Sequence, residues 1–178
     1  MTLPLEWPGE QAPQQAIALE VVGVPAPQGS KTAMMIGGHA RVVEGTSATG
    51  RMKHKSWREG VTTAVRDWLT EHPQPPLCEP VRVKITFRFP LPASDKYRTR
   101  HAQTPDIDKI LRSTFDALVV GGMLKDDSFI YEVHATKLYA HGDFPVGATI
   151  HIHPCGYHET LDREFQKARA KDLRRARR

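Results

Sequence analysis

The chain has 178 residues, with 25 Lys and Arg against 20 Asp and Glu and a formal net charge of +5. That length suits one domain with a real core and is short for two. Two cysteines exclude a disulfide framework, no run reaches the roughly 18 apolar residues of a membrane span, and no charged leader precedes an apolar segment; a soluble, cytoplasmic protein is expected, with a polyanion as a reasonable partner for the excess positive charge.

Residues 1–15 are rich in Pro, Gln and Glu without an apolar period and read as a flexible leader. The folded domain is expected over 16–158, starting with the strand IALEVVGV, which PAPQG closes in a turn. Residues 29–55 are rich in Gly, Ser and Thr and carry Lys31, Arg41, Arg51, Lys53 and Lys55. They read as a long basic loop or loose hairpin with ARVVE as a short strand, either an arm that embraces DNA or a solvated loop. Trp57, Val61, Ala64, Val65, Trp68 and Leu69 recur with the period of an amphipathic helix that HPQPP stops, and both Trp rings are assigned to the core rather than to base stacking. PVRVKITFRFP alternates strictly, with Val81, Val83, Ile85, Phe87 and Phe89 on one face and Arg82, Lys84, Thr86 and Arg88 on the other. This is the pattern of a half-buried strand with a basic outer face.

The polar connection ASDKYRTRHAQ carries Lys96, Arg98, Arg100 and His101 up to a second amphipathic helix, marked by Ile107, Ile110, Leu111, Phe115, Leu118 and Val119 and ended by Gly121 and Gly122. FIYEVHATKLYA and VGATIHIHP read as two strands joined through HGDFP as a hairpin. The basic tail, residues 159–178, reads either as a helix that forms on a phosphate backbone or as a solvated end. The element order predicts an α/β (α+β) fold, a small mixed β-sheet packed with two main helices.

The segment 104–129, TPDIDKILRSTFDALVVGGMLKDDSF, gathers five carboxylates in a basic chain. If Asp108 is the N-cap of the second helix, the macrodipole accounts for it alone but not for Asp106 or for the pair Asp126 and Asp127. In extended or cap geometry the D-x-D side chains point the same way, so Asp106 and Asp108 are candidates to share a divalent cation. Caps and turns are the commoner explanation of that spacing. A third acid, Asp126 or Asp127, would have to return at the start of a strand beside the one that delivers Asp106, because the helix between them is about 18 Å long. Hard oxygen ligands suit Mg²⁺ rather than Zn²⁺, and such a cation serves phosphodiester hydrolysis. Asp108, Arg112 and Asp116 share one helical stripe, either a surface ion ladder or one that turns Arg112 toward a scissile phosphate.

Taken together, His101, Pro105-Asp106-Ile107-Asp108, Phe115-Asp116-Ala117-Leu118, Asp126-Asp127-Ser128 and Lys137, with the opening GVPAPQGSK, resemble the RusA family of Holliday-junction resolvases over about residues 17–152. The resemblance implies a homodimeric, Mg²⁺-dependent endonuclease, with Mn²⁺ as a possible substitute, that binds four-way DNA junctions and nicks two strands symmetrically in recombination and repair. It implies Asp106, Asp108 and Asp127 as metal ligands, with Arg112 and Lys137 completing the catalytic set. Lys31, Arg41, Arg51, Lys53, Lys55, Arg98, Arg100, His101 and Lys109 are the expected DNA contacts. Where the family has Asn after D-x-D and Lys four residues beyond the second Asp, this chain has Lys109 and Arg112. That departure keeps two alternatives open: a non-catalytic DNA-binding protein of the same fold, or a nuclease for other branched DNA. His151 and His153 alternate on a strand without a third convergent ligand and read as a solvated face, and no organic cofactor is expected.

Overall fold

The computed structural model describes residues 16–28, 31–36, 39–44, 48–93 and 98–155. The expected leader, 1–15, and tail, 159–178, lie outside the described residues. Strand β1 (Ile17–Val22) buries Ile17, Leu19 and Val21 and exposes the residues between them, as the alternation of IALEVV dictates. β2 (Lys31–Ile36) and β3 (His39–Glu44) pair antiparallel as a separate two-stranded sheet, and helix α1 (Ala48–Glu71) follows. The stretch 29–55, expected as one basic loop or loose hairpin, is therefore split between a regular hairpin and the first two turns of α1. Arg51, Lys53 and Lys55 are helical, because Trp57, Val61 and Val65 bury the helix from its middle and their period extends backward through residues without a breaker.

β4 (Val81–Phe89) is the most buried strand, and its strict alternation packs Val81, Val83, Ile85, Phe87 and Phe89 into the core. Helix α2 (Ile107–Gly121), a single 3₁₀ turn (Asp127–Phe129), β5 (Ile130–Tyr139) and β6 (Gly147–Pro154) complete the element order. The main sheet has the order β1-β6-β4-β5 and is mixed: β4 pairs parallel with β5 and antiparallel with β6, and β6 also pairs antiparallel with β1. The expected β5–β6 hairpin is thus corrected, since β4 separates the two strands. Burial explains the choice. Ala148, Ile150 and Ile152 of β6 are fully buried and need a strand on each side, whereas β5 is half-exposed along most of its length and suits an edge.

The helices run parallel to one another over the apolar face. Trp57 Nε1 donates to Thr114 Oγ1 at 3.2 Å, Thr62 Oγ1 to the Ala117 carbonyl at 3.5 Å, and Val65 meets Gly121, so contacts advance in the same direction along both helices. Glycine is required at 121, where an added Cβ would stand 2.8 Å from the Val65 side chain. Beyond it Gly122, at φ 93°, ends α2 in the left-handed conformation, with its N–H on the Val119 carbonyl and the Met123 N–H on the Leu118 carbonyl. On the opposite sheet face Arg88 is not a free basic residue. It is buried against Glu20 at 2.8 Å, the Pro145 carbonyl at 2.7 Å and Thr149, tying β4 to β1 and β6.

Candidate active site

After β4 the chain returns along the outer edge of β5. Tyr139 N–H donates to the Thr99 carbonyl at 2.8 Å and His101 N–H to the Lys137 carbonyl at 3.0 Å, with Arg100 bridged to Leu138. This ribbon sets His101 against two rings from the paired strands β4 and β5, 4.0 Å from the Phe89 centroid in a stack and 4.9 Å from Tyr139 edge-on. His101 is therefore buried: its own neighbours in sequence are polar, and the aromatic pair that covers it comes from β4 and β5. Burial, followed by the charge of Lys137, lowers its pKa, so the ring is neutral at neutral pH.

From His101 the chain reaches a cis Thr104–Pro105 bond and then Asp106. Lys137, on the helix-facing side of β5, donates through Nζ to the carbonyls of Gln103 at 2.7 Å and Pro105 at 2.8 Å. Its role in the fold is a clasp that holds the loop carrying D-x-D. Asp106 is the residue that precedes the helix, in extended conformation (φ −65°, ψ 143°), and Asp108 lies in the first turn. The expectation of Asp108 as N-cap is corrected accordingly: Asp106 stands at the cap position and the helix begins at Ile107, so Asp108 is already helical.

The Asp106 carboxylate makes no cap bond and instead pairs with Lys109 Nζ at 2.9 Å. Lys109 is the main cause that holds the Asp106 carboxyl below the usual carboxylate range, with Lys137 adding to it, and the same pair raises the Lys109 ammonium. Both groups are open to water, so the pair is a weak tether. Its spacing of i, i+3 was readable from the sequence; the clasp by Lys137, which joins residues 32 apart, was not.

Asp106 and Asp108 line one open groove together with His101, Gln103, Thr136 and Lys137. Arg112 is exposed on the same helix one turn beyond Asp108, and no ion pair joins it to Asp108 or Asp116 among the described residues. Asp127 is not at this groove. It opens the 3₁₀ turn beyond the far end of α2, while Asp126 caps that turn by accepting the Ser128 N–H at 2.9 Å; the Ser128 side chain first, and then that backbone bond, lower the Asp126 pKa. A helix of 15 residues spans about 22 Å, and the seven steps of β5 from Ile130 to Lys137 span about 23 Å. Asp127 does begin a strand beside β4, as expected, but β5 runs parallel to β4 and delivers that end far from D-x-D. Among the described residues no three His, Cys, Asp or Glu side chains converge on a common point.

Of the expected DNA contacts, Arg98, Arg100 and Lys109 are exposed near the groove, and Arg51, Lys53 and Lys55 are exposed on α1. Lys31 and Arg41 lie in the hairpin, and their side chains are outside the described residues. No helix is long and apolar enough to cross a membrane among the described residues.

Paired exposed carboxylates beside Lys109 and Lys137 thus line an open groove at the start of a helix. The family model for endodeoxyribonuclease RusA matches residues 37–152, which takes in β3, both helices, the D-x-D groove, Asp127 and Lys137. The class is thus that of a DNA-cutting nuclease. The chain belongs to the RusA family, the family of Holliday-junction resolvases. No curated protein sequence matches it.

Proposed function

We propose that the protein is a Mg²⁺-dependent endonuclease that acts as a homodimer on four-way DNA junctions, introducing paired symmetric nicks in recombination and repair. The observation that carries this reading is the joint placement of Asp106 and Asp108 in one open groove within the family-matched segment. Two exposed carboxylates suit a hard cation that keeps water and phosphate oxygens as its other ligands, and Mn²⁺ shares that preference. A cation held there supplies Lewis-acid polarisation of a phosphate oxygen and activation of water.

The residues of the chain have separable tasks. Lys137 keeps the loop at Gln103 and Pro105 in register, so that both carboxylates of D-x-D stay on the groove. Lys109, held to Asp106 only by a solvent-exposed pair, can transfer to a phosphate oxygen when DNA enters. Arg112, exposed one helical turn from Asp108, is placed to offset the negative charge that builds on the phosphate during cleavage. Neutral His101 adds no charge to the groove and fixes the ribbon between Phe89 and Tyr139.

Asp127 lies roughly 20 Å from this groove along its own chain. We therefore assign the third carboxylate to Asp127 of the partner subunit, which makes a second copy a requirement for a complete site.

The Lys109–Asp106 pair at 2.9 Å also favours a second reading, a junction-binding protein whose D-x-D is neutralised internally and does not cut. Incubating a four-way junction, a duplex and a flap with Mg²⁺, Mn²⁺ or EDTA separates the two. The endonuclease gives paired symmetric nicks on the junction that vanish with EDTA and in Asp106→Asn; tight binding without product under every cation selects the second reading.

A further inference from the structure

A second concave surface lies in the seam between α1 and α2, apart from the D-x-D groove. Arg51, Lys55, Arg58 and Arg66 line it with Thr62 and Gln28, and Glu59 is the one acid among its described lining residues. On α1 these four cations recur at i, i+4, i+7 and i+15, a single stripe that flanks the buried face of Trp57, Val61 and Val65. From Arg51 to Arg66 the stripe is about 22 Å long, the axial length of roughly six base pairs of duplex DNA.

One end of the stripe lies toward the candidate active site. Because Trp57 stands opposite Thr114 and the helices run parallel, Gly50 is level with Ile107, so Arg51 is the end nearest D-x-D. The Gln28 N–H donates to the Lys109 carbonyl at 3.2 Å, so the turn after β1 joins the upper end of the seam to the first turn of α2. Both helix N-termini point to that end, and their dipoles add to its positive potential. Lys55 pairs with Glu59 at 3.8 Å with both groups exposed, an arrangement that water screens and a phosphate can displace.

We propose that this seam is a non-catalytic track for the sugar–phosphate backbone of the duplex arm beside the nicked position. The proposal rests on the reading of the D-x-D groove as the site of cleavage. Arg58 and Arg66 hold the arm at a distance from the cut and set the length of duplex the enzyme needs, about six base pairs. Nothing in the contact involves base edges, so it adds affinity and orientation without sequence preference.

The test uses the full chain, a synthetic four-way junction and the double variant Arg58→Ala/Arg66→Ala, with Arg58→Lys/Arg66→Lys as the charge-conserving control. Binding is measured in EDTA between about 50 and 200 mM salt, on junctions whose arms are about 12 or about 4 base pairs long. Loss of two phosphate contacts lowers the slope of log affinity against log salt by about 1.8, equivalent to roughly 60-fold in affinity at 0.1 M salt. Wild type and the Lys control should bind the long-armed junction more tightly than the short-armed one, and the Ala variant should not distinguish them. An Ala variant that melts like wild type yet keeps the full slope and the arm-length dependence overturns the track. Cleavage in Mg²⁺ is read separately: a wild type that never cuts removes the endonuclease reading, whereas the binding slopes decide the track by themselves.

Discussion

Mixing two inactive variants should restore cleavage. Asp106→Asn and Asp127→Asn each remove one carboxylate, and each homodimer is expected to be dead. Ligands of one Mg²⁺ sit about 2.1 Å from the ion, so oxygens that share it are only a few Å apart. Within one chain, α2 and β5 independently hold the two positions more than about 20 Å apart, and closing that gap would dismantle both elements. Sharing between two copies needs no such rearrangement. In a mixed dimer one site then combines both substitutions and the other combines neither. Random exchange makes about half of the dimers mixed, each with one of two sites intact, so about a quarter of the wild-type sites return. A supercoiled plasmid bearing an extruded cruciform reports the outcome. Wild type gives linear product from paired cuts, and the mixture gives nicked circles, because a mixed dimer cuts one strand. Verified mixed dimers with no activity above either parent would refute the shared site and return Asp127 to a structural role.

Three further outcomes follow from contacts described above. Lys137→Met removes both bonds to the Gln103 and Pro105 carbonyls and should cost about 2 kcal/mol in urea unfolding, with a matching loss of cleavage; unchanged stability would contradict the clasp. Gly121→Ala places a methyl against Val65, and overpacking of about 2 kcal/mol should outweigh about 1 kcal/mol of gained helix propensity, so Tm falls; a rise would show that the helices part easily. The folded-state pKa of His101 lies below its unfolded value, so the unfolded chain binds the extra proton and stability is lost as pH falls through the unfolded value near 6.5. Wild type should therefore lose more Tm than His101→Gln between about pH 7.5 and about pH 5.5, and equal losses would place the ring in water.

The elements that define the core were legible because their periods are strong. The alternation of β4 and the helical spacing of Ile107, Ile110, Leu111, Phe115, Leu118 and Val119 are local properties; the structure keeps both elements, and on the helix it buries Ile110 and Leu118 fully together with Ser113, Thr114, Ala117 and Gly121. Strand neighbours were not legible: β5 and β6 are adjacent in sequence, yet the pairing is decided by which strand can bury both flanks, and Ala148, Ile150 and Ile152 win the centre. The site divides along the same line. Asp106 and Asp108 face one groove because they are two residues apart, a local matter. The far placement of Asp127 follows from the parallel pairing of β4 and β5, and the burial of His101 from rings supplied by Phe89 and Tyr139. The sequence offered Lys137 only as a member of the catalytic set, and its bonds to two loop carbonyls became visible only once β5 lay beside that loop.

The central position of β6 has a consequence for the order in which the molecule can be made. Among the described strands of the main sheet, β1 pairs only with β6, Ile17 opposite Ile152 and Val22 opposite Gly147. While a ribosome is still producing the middle of the chain, β1 has no partner in that sheet, and one flank of β4 is also open. The D-x-D loop and both helices emerge before the strand that locks the sheet, so Gly147–Pro154, the last of the described elements, completes a sheet whose most distant contacts close latest. A chain that stops before Gly147 therefore leaves β1 and one flank of β4 without a partner in this sheet.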